Sequence, residues 1–183
     1  MFTDESGFLL APLVRRTLAP RGHTPALRHR ARHRDKVSVA AALTLSPAVG
    51  RAGLYYQTYP DAYVDAEVYA GFLHALLRHI RRPLVVVQDR GNMHKGPPLR
   101  ELNASFARLD LNLLPPYAPE LNPVEYVWTH VKHERLANFA PLDVPHLDGT
   151  VCRCLDEARH DQSRLHSFFA ASPLPWDGLT GLM

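Results

Sequence analysis

The chain has 183 residues, 46% of them hydrophobic, and a formal net charge of +3. That size and apolar share suit one soluble domain with its own core, while no apolar stretch is long enough to span a bilayer and Met1–Leu10 carries Asp4 and Glu5 where a secretion signal would be basic. Cys152 and Cys154, the only cysteines, stand two apart on an expected helix and face different ways, which argues against a disulfide framework or a zinc site and for a reducing cytoplasm.

Met1 to Glu5 reads as a short first strand. Pro12 to Lys36 is polar and basic, punctuated by Pro20, Gly22 and Pro25, and reads as a long loop. Val37 to Leu45 is a continuous apolar run rich in strand formers, closed by Ser46-Pro47. Gly53 to Tyr59 follows as its hairpin partner, with Gly50 in the turn. Asp65 caps a helix whose apolar positions, Val68, Phe72, Leu73, Leu76, Leu77 and Ile80, recur at helical spacing; Arg78, Arg81 and Arg82 suit its C-terminus and Pro83 stops it. Leu84 to Gln88 reads as a strand buried on both faces, ending at Asp89. Pro98 to Phe106 is expected to be helical, Leu109 to Leu114 a strand closed by Pro115-Pro116, Asn122 to about Ala137 a helix, and His146 to about Phe169 one or two more. The tail from Pro173 reads as loose. Three leading strands followed by alternation predict an α/β fold, a mixed sheet with helices on its faces.

Three acids sit where elements begin or end. Asp4 and Asp89 follow short apolar runs, and the crevice at the carboxyl ends of such strands is where α/β sheets bind ligands. Alternation puts Asp4 and Glu5 on opposite faces, so only one of them points with Asp89. Glu125 lies in the first turn of a helix opened by Asn122 and Pro123. It is placed for a capping box, yet it falls roughly 100° from the middle of the Val124, Trp128, Val131 stripe, at the edge of the buried face where a ligand beside an open site belongs. Carboxylates gathered without a Cys or His set suit a hard cation such as magnesium, with open positions for phosphate. Pro115 to Pro123 is a stiff approach to Glu125, and Tyr117 within it is able to stack on a base. Asn92, His94 and Lys95 follow Asp89 closely and are candidates for phosphate contact. A second basic group, Arg15, Arg16, Arg21, Arg28, Arg30, Arg32, Arg34 and Lys36, crowds one segment with Asp35 its only acid, either the footprint of a polyanionic partner or a solvated loop.

The stretches Phe2-Thr3-Asp4-Glu5-Ser6-Gly7-Phe8, Gln88-Asp89-Arg90-Gly91-Asn92-Met93-His94-Lys95 and Leu114-Pro115-Pro116-Tyr117-Ala118-Pro119-Glu120-Leu121-Asn122-Pro123-Val124-Glu125-Tyr126-Val127-Trp128, with 35 residues between Asp89 and Glu125, carry a resemblance. The chain resembles the catalytic domain of a DDE/D transposase, of the mariner-like bacterial insertion-sequence superfamily, over residues 2 to about 140. The resemblance implies a ribonuclease-H-like fold with a mixed five-stranded sheet over residues 1–170, a clamp-type basic loop at 12–36, and a loose tail at 171–183. It implies that Asp4 rather than Glu5 joins Asp89 and Glu125 as catalytic residues holding two Mg2+ ions, with Mn2+ able to substitute. The reaction implied is cleavage of transposon-end DNA and strand transfer, at a TA target, by a homodimer in the bacterial cytoplasm, nucleoid-associated when bound to DNA. Such transposases carry an N-terminal helix-turn-helix region, absent from this sequence. The alternative is an inactive or truncated remnant that binds DNA or dimerises with an intact transposase.

Overall fold

The computed structural model describes residues 1–27 and 35–176. A five-stranded sheet runs through it, built from β1 (Phe2–Leu9), β2 (Lys36–Leu45), β3 (Ala52–Pro60), β4 (Leu84–Gln88) and β5 (Leu109–Leu113), in the order β3-β2-β1-β4-β5. The first three strands pair antiparallel, whereas β4 lies parallel to both β1 and β5. The expected mixed sheet is therefore the one observed. Helices α1 (Ala66–His79) and α2 (Pro97–Ser105) cover one face. Helices α3 (Val124–Thr129), α4 (Val144–Arg159) and α5 (Gln162–Ala171) cover the other.

Strand β2, between β1 and β3, shows why the layers hold. Val37, Val39, Ala41 and Leu43 pack into the core under α3 to α5, and Ala40 and Ala42 into the core under α1 and α2. The period of two sends alternate residues to opposite cores, and alanine on the α1 side lets Tyr69, Phe72 and Leu73 approach closely. The local signals read from the sequence act as expected. The Asp65 side chain accepts from Val68 N at 2.9 Å, and Gly50 takes a φ of 63° in the β2–β3 turn.

Three expectations need correction. First, β1 extends to Leu9 rather than stopping at Glu5, because β2 pairs with it along its whole length. Second, β4 is not buried on both faces. Leu84, Val86 and Gln88 are buried, but Val85 is 52% exposed, since α3 to α5 gather over β1, β2 and β3 and leave the outer half of the sheet open on that side. Third, the tail is pinned as far as Trp176, whose ring meets Phe2 and Phe169 edge-on at 5.9 and 5.2 Å. The segment after β1 is irregular, as expected for a loop, but it is tacked down at its start by a parallel bridge between Leu13 and Ala137.

The helix expected from Asn122 to Ala137 is helical in two parts: α3 passes into a π-helical turn, His130–Arg135, closed by Leu136 N donating to Val131 O at 2.9 Å. Asn122 anchors its start. Its Oδ1 accepts from Val124 N at 3.2 Å, and its Nδ2 reaches across to donate to Thr3 O on β1 at 3.1 Å. One buried side chain thus caps a helix and ties it to the central strand. Asn122→Ala is expected to lower unfolding free energy by roughly 2 kcal/mol, for a lost cap plus an orphaned buried carbonyl. Urea denaturation measures this, and a change within experimental error would mean the tie contributes nothing.

Candidate active site

Phe2 of β1 stands opposite Val87 of β4 in parallel register, so Asp4 lies level with Asp89, the first residue past β4. Asp4, Asp89 and Glu125 all line one cleft of about 470 Å³, with Arg90, Gly91, Lys95, Asn122 and the Leu114 to Pro119 loop. A smaller cavity of about 270 Å³ near Phe8, Leu136 and Phe139 is mostly apolar, with Lys132 its only charged lining residue.

Each carboxylate is held differently. Asp4 Oδ2 accepts from Trp128 Nε1 at 2.7 Å, which joins β1 to α3. Burial, then the Glu125 charge, push the Asp4 pKa up from 3.8 to about 7 against that bond. Burial also raises the pKa of Glu125, with Lys132 opposing and Asp89 adding to the shift. The capping-box alternative for Glu125 fails, because Asn122 N is taken by Pro119 O at 2.8 Å and the Glu125 carboxylate makes no hydrogen bond among the described residues. Asp89 Oδ1 accepts from Gly91 N at 2.7 Å and from His94 Nδ1 at 2.5 Å, while Oδ2 accepts nothing among the described residues.

His94 requires a correction. It was expected at the surface as a phosphate contact, but it is 5% exposed and packs on the Tyr69 ring at 4.5 Å. Its Nε2 lies 3.1 Å from both oxygens of Glu5. Burial opposes charging of the ring, but the bonds and charges of Glu5 and Asp89 outweigh it and raise the His94 pKa. Glu5 does point away from Asp4, as alternation requires, yet it reaches Asp89 through this histidine. A chain of buried polar groups continues below: Tyr69 OH donates to Gln88 Oε1 at 2.7 Å and lies 2.6 Å from Thr3 Oγ1.

The other expected contacts scatter. Lys95 lines the cleft; Asn92 is exposed but outside its lining. Arg15, Arg16 and Arg21 are exposed on the segment after β1. Lys36 belongs to β2 rather than the loop, with Nζ 3.0 Å from the centroid of Tyr63. Arg28, Arg30, Arg32 and Arg34 lie outside the described residues. Tyr117 is fully exposed on the cleft rim at φ 58°, where a bulky side chain is strained. The sequence reading missed Lys132. Burial lowers its pKa while the charges of Glu125 and Asp4 raise it, so it lies near enough to both acids for their charges to be felt. The signal was available, since residue 132 follows Glu125 by two helical turns.

These groups suit a divalent cation. Two partly buried carboxylates, Asp4 and Glu125, carry pKa values raised by desolvation and by neighbouring carboxylates, which a bound dication relieves. Among the described residues no three His, Cys, Asp or Glu side chains are gathered tightly enough to enclose one ion. The acids border an open cleft, which fits a cation that keeps several waters or substrate oxygens.

Residues 1–147 match the family described as DDE superfamily endonuclease. No similar sequence is found among curated proteins. The fold is similar to Mos1 transposase in a paired-end complex with the left transposon end, with a TM-score of 0.66 and 18% identity, covering 98% of this chain and 54% of that one. It is likewise similar to the Mos1 strand transfer complex, with a TM-score of 0.64 and 18% identity over 99% and 50% of the two chains. A Mos1 mariner paired-end complex with Mn gives 0.63 and 19% over 98% and 54%. The chain spans about half the length of these Mos1 chains. At such identity the likeness speaks to the fold, which is the ribonuclease-H-like one expected. No helix among the described residues is long and apolar enough to cross a membrane.

The Asp4 shift sets a pH dependence. A carboxyl whose folded pKa is raised contributes stability below its unfolded value, near 3.8, and loses it as pH rises through about 7. Asp4→Asn removes that loss. The metal-free variant is expected to gain on wild type between pH 4 and pH 8, by on the order of 4 kcal/mol. Chemical denaturation in chelator across that range measures it; a pH-independent difference would show that Asp4 titrates normally.

Proposed function

Because the chain belongs to the DDE superfamily endonuclease family, we propose that it is the catalytic domain of a transposase, with Asp4, Asp89 and Glu125 as its metal-holding catalytic residues. The observation that carries this reading is the convergence of the three acids, from β1, the end of β4 and the start of α3, on one cleft. Two divalent ions, Mg2+ or Mn2+, would supply an activated water or 3′-hydroxyl and stabilise the leaving oxygen of the scissile phosphate. The Mos1 complexes with Mn and with Mg support the choice of ion.

The chain's own residues do the rest. Trp128 fixes the orientation of Asp4, and His94 that of Asp89. Lys132 offsets part of the negative charge of Asp4 and Glu125. Lys95 and Arg90 place positive charge on the rim where a phosphate backbone would approach, and Tyr117 offers a ring for a base. The partners proposed are transposon-end and target DNA and a second copy of the chain, a reading supported by the paired-end Mos1 assemblies. The domain proposed covers residues 1–170, with the basic segment 12–36 engaging DNA and partner.

The test supplies a helix-turn-helix region in cis, so that end recognition does not limit the assay. Asp89→Asn is expected to reduce magnesium-dependent strand cleavage by several orders of magnitude while leaving DNA binding unchanged. A folded fusion that binds transposon ends yet cleaves nothing with all three acids intact would leave the inactive, inhibitory fragment as the better reading. The basic segment has its own test. If Arg28, Arg30, Arg32 and Arg34 meet phosphates, changing all four to Ala should flatten the slope of log affinity against log salt by about 3 to 4. An unchanged slope would remove them from the interface.

A further inference from the structure

Asp89 has no regular element to hold it. It lies one residue past β4 and its side chain is 53% exposed. Its carboxylate is nonetheless gripped at one oxygen, Oδ1, by Gly91 N at 2.7 Å and His94 Nδ1 at 2.5 Å. His94 has little freedom to move. Its side chain is 1% exposed, Glu5 faces its Nε2 with both oxygens at 3.1 Å, and its carbonyl accepts from Gln88 Nε2 at 3.4 Å.

Gly91 supplies an independent observation. Its φ of −52° and ψ of 154° are open to any residue, so the backbone does not call for glycine. Space does. A Cβ at this position would stand 2.9 Å from Asp89 Oδ1 and 3.6 Å from His94 Nδ1. The short approach between the Gly91 backbone and the Asp89 carboxylate exists only because no side chain intervenes.

We infer that Gly91, His94 and Glu5 form a seat that presents Asp89 to the cleft, and that they are positioning residues for the metal-holding carboxylate rather than contacts to DNA. The seat occupies Oδ1 and leaves Oδ2 free of hydrogen bonds among the described residues. Residues that hydrogen-bond a ligating group fix its orientation, and their loss typically lowers metal affinity ten- to a hundredfold. The second acid of the Asp4-Glu5 pair thereby acquires a role: it holds the histidine that holds the opposite acid. This inference rests on the metal site proposed above.

The test is Mn2+ binding to the 183-residue chain without DNA, followed by electron paramagnetic resonance, alongside the melting temperature of the metal-free chain. Asp89→Asn locates the ion and is expected to abolish the tighter binding. Gly91→Ala keeps every polar group and only displaces the carboxylate. It should weaken Mn2+ binding by roughly ten- to a hundredfold while the melting temperature stays level or rises, since alanine has less backbone freedom to lose on folding. Glu5→Gln keeps one acceptor for His94 and should give a smaller loss in the same direction. A purely structural role would move the melting temperature and not the affinity. Gly91→Ala and Glu5→Gln binding Mn2+ as wild type does, while Asp89→Asn does not, would overturn the seat and leave the metal site standing. Mn2+ binding that Asp89→Asn fails to weaken would overturn the metal site itself, and the seat with it.

Discussion

The parallel pairing of β1 with β4, with Phe2 opposite Val87, is the constraint on which the cleft depends. Side chains alternate along a strand, so a slip of one residue would exchange every face of β1. Asp4 would then turn away from Trp128 and Glu5 away from His94, and the indole bond, the histidine bridge and the Phe2 and Phe8 packing would all be lost together. The apolar residues of β1 enforce the register. Phe8 is buried against Trp128, with ring centroids 6.0 Å apart, and Phe2 sits between Phe169 and Trp176. Hydrophobic packing along the same face of β1 therefore decides which acid faces the cleft.

Bringing three carboxylates to one place is unfavourable without a cation, because burial and mutual repulsion both disfavour charge. The fold offsets this with graded partners. A neutral indole donor meets the most buried acid, Asp4. A histidine shared with Glu5 meets Asp89, the most exposed. Lys132 lies near enough to Asp4 and Glu125 for the charges to be felt. None of these partners closes the cleft, so the site stays open to ligands from solvent.

Much of this was legible in the sequence. The elements followed from apolar period and from Asp65, Gly50, Pro83 and Asn122 as punctuation. The Val124, Trp128, Val131 stripe predicted which face of α3 is buried, and with it the edge position of Glu125. The misreadings share a cause, since each concerns what a residue meets across the fold. His94 looked like a loop histidine because nothing local shows that Glu5, 89 residues earlier, waits on the far side of its ring. Val85 looked buried because an apolar run does not reveal that one half of the sheet lacks a helical cover. Trp176 looked loose because its partners, Phe2 and Phe169, lie on other elements. Lys132 was within reach of local reasoning, because the same helical spacing that placed Glu125 also places it.

The bond between the Trp128 indole and Asp4 has an optical consequence. The chain has only two tryptophans, and one of them donates directly to a carboxylate that faces the cleft. Indole emission responds to the charge beside its N–H, so any event that alters Asp4 changes the colour or yield of the light from Trp128. Trp176, set between Phe2 and Phe169 away from the acids, provides a comparatively constant background. The molecule thus carries a native fluorophore bonded to an acid of the cleft, and binding at the proposed metal site can be followed without a label.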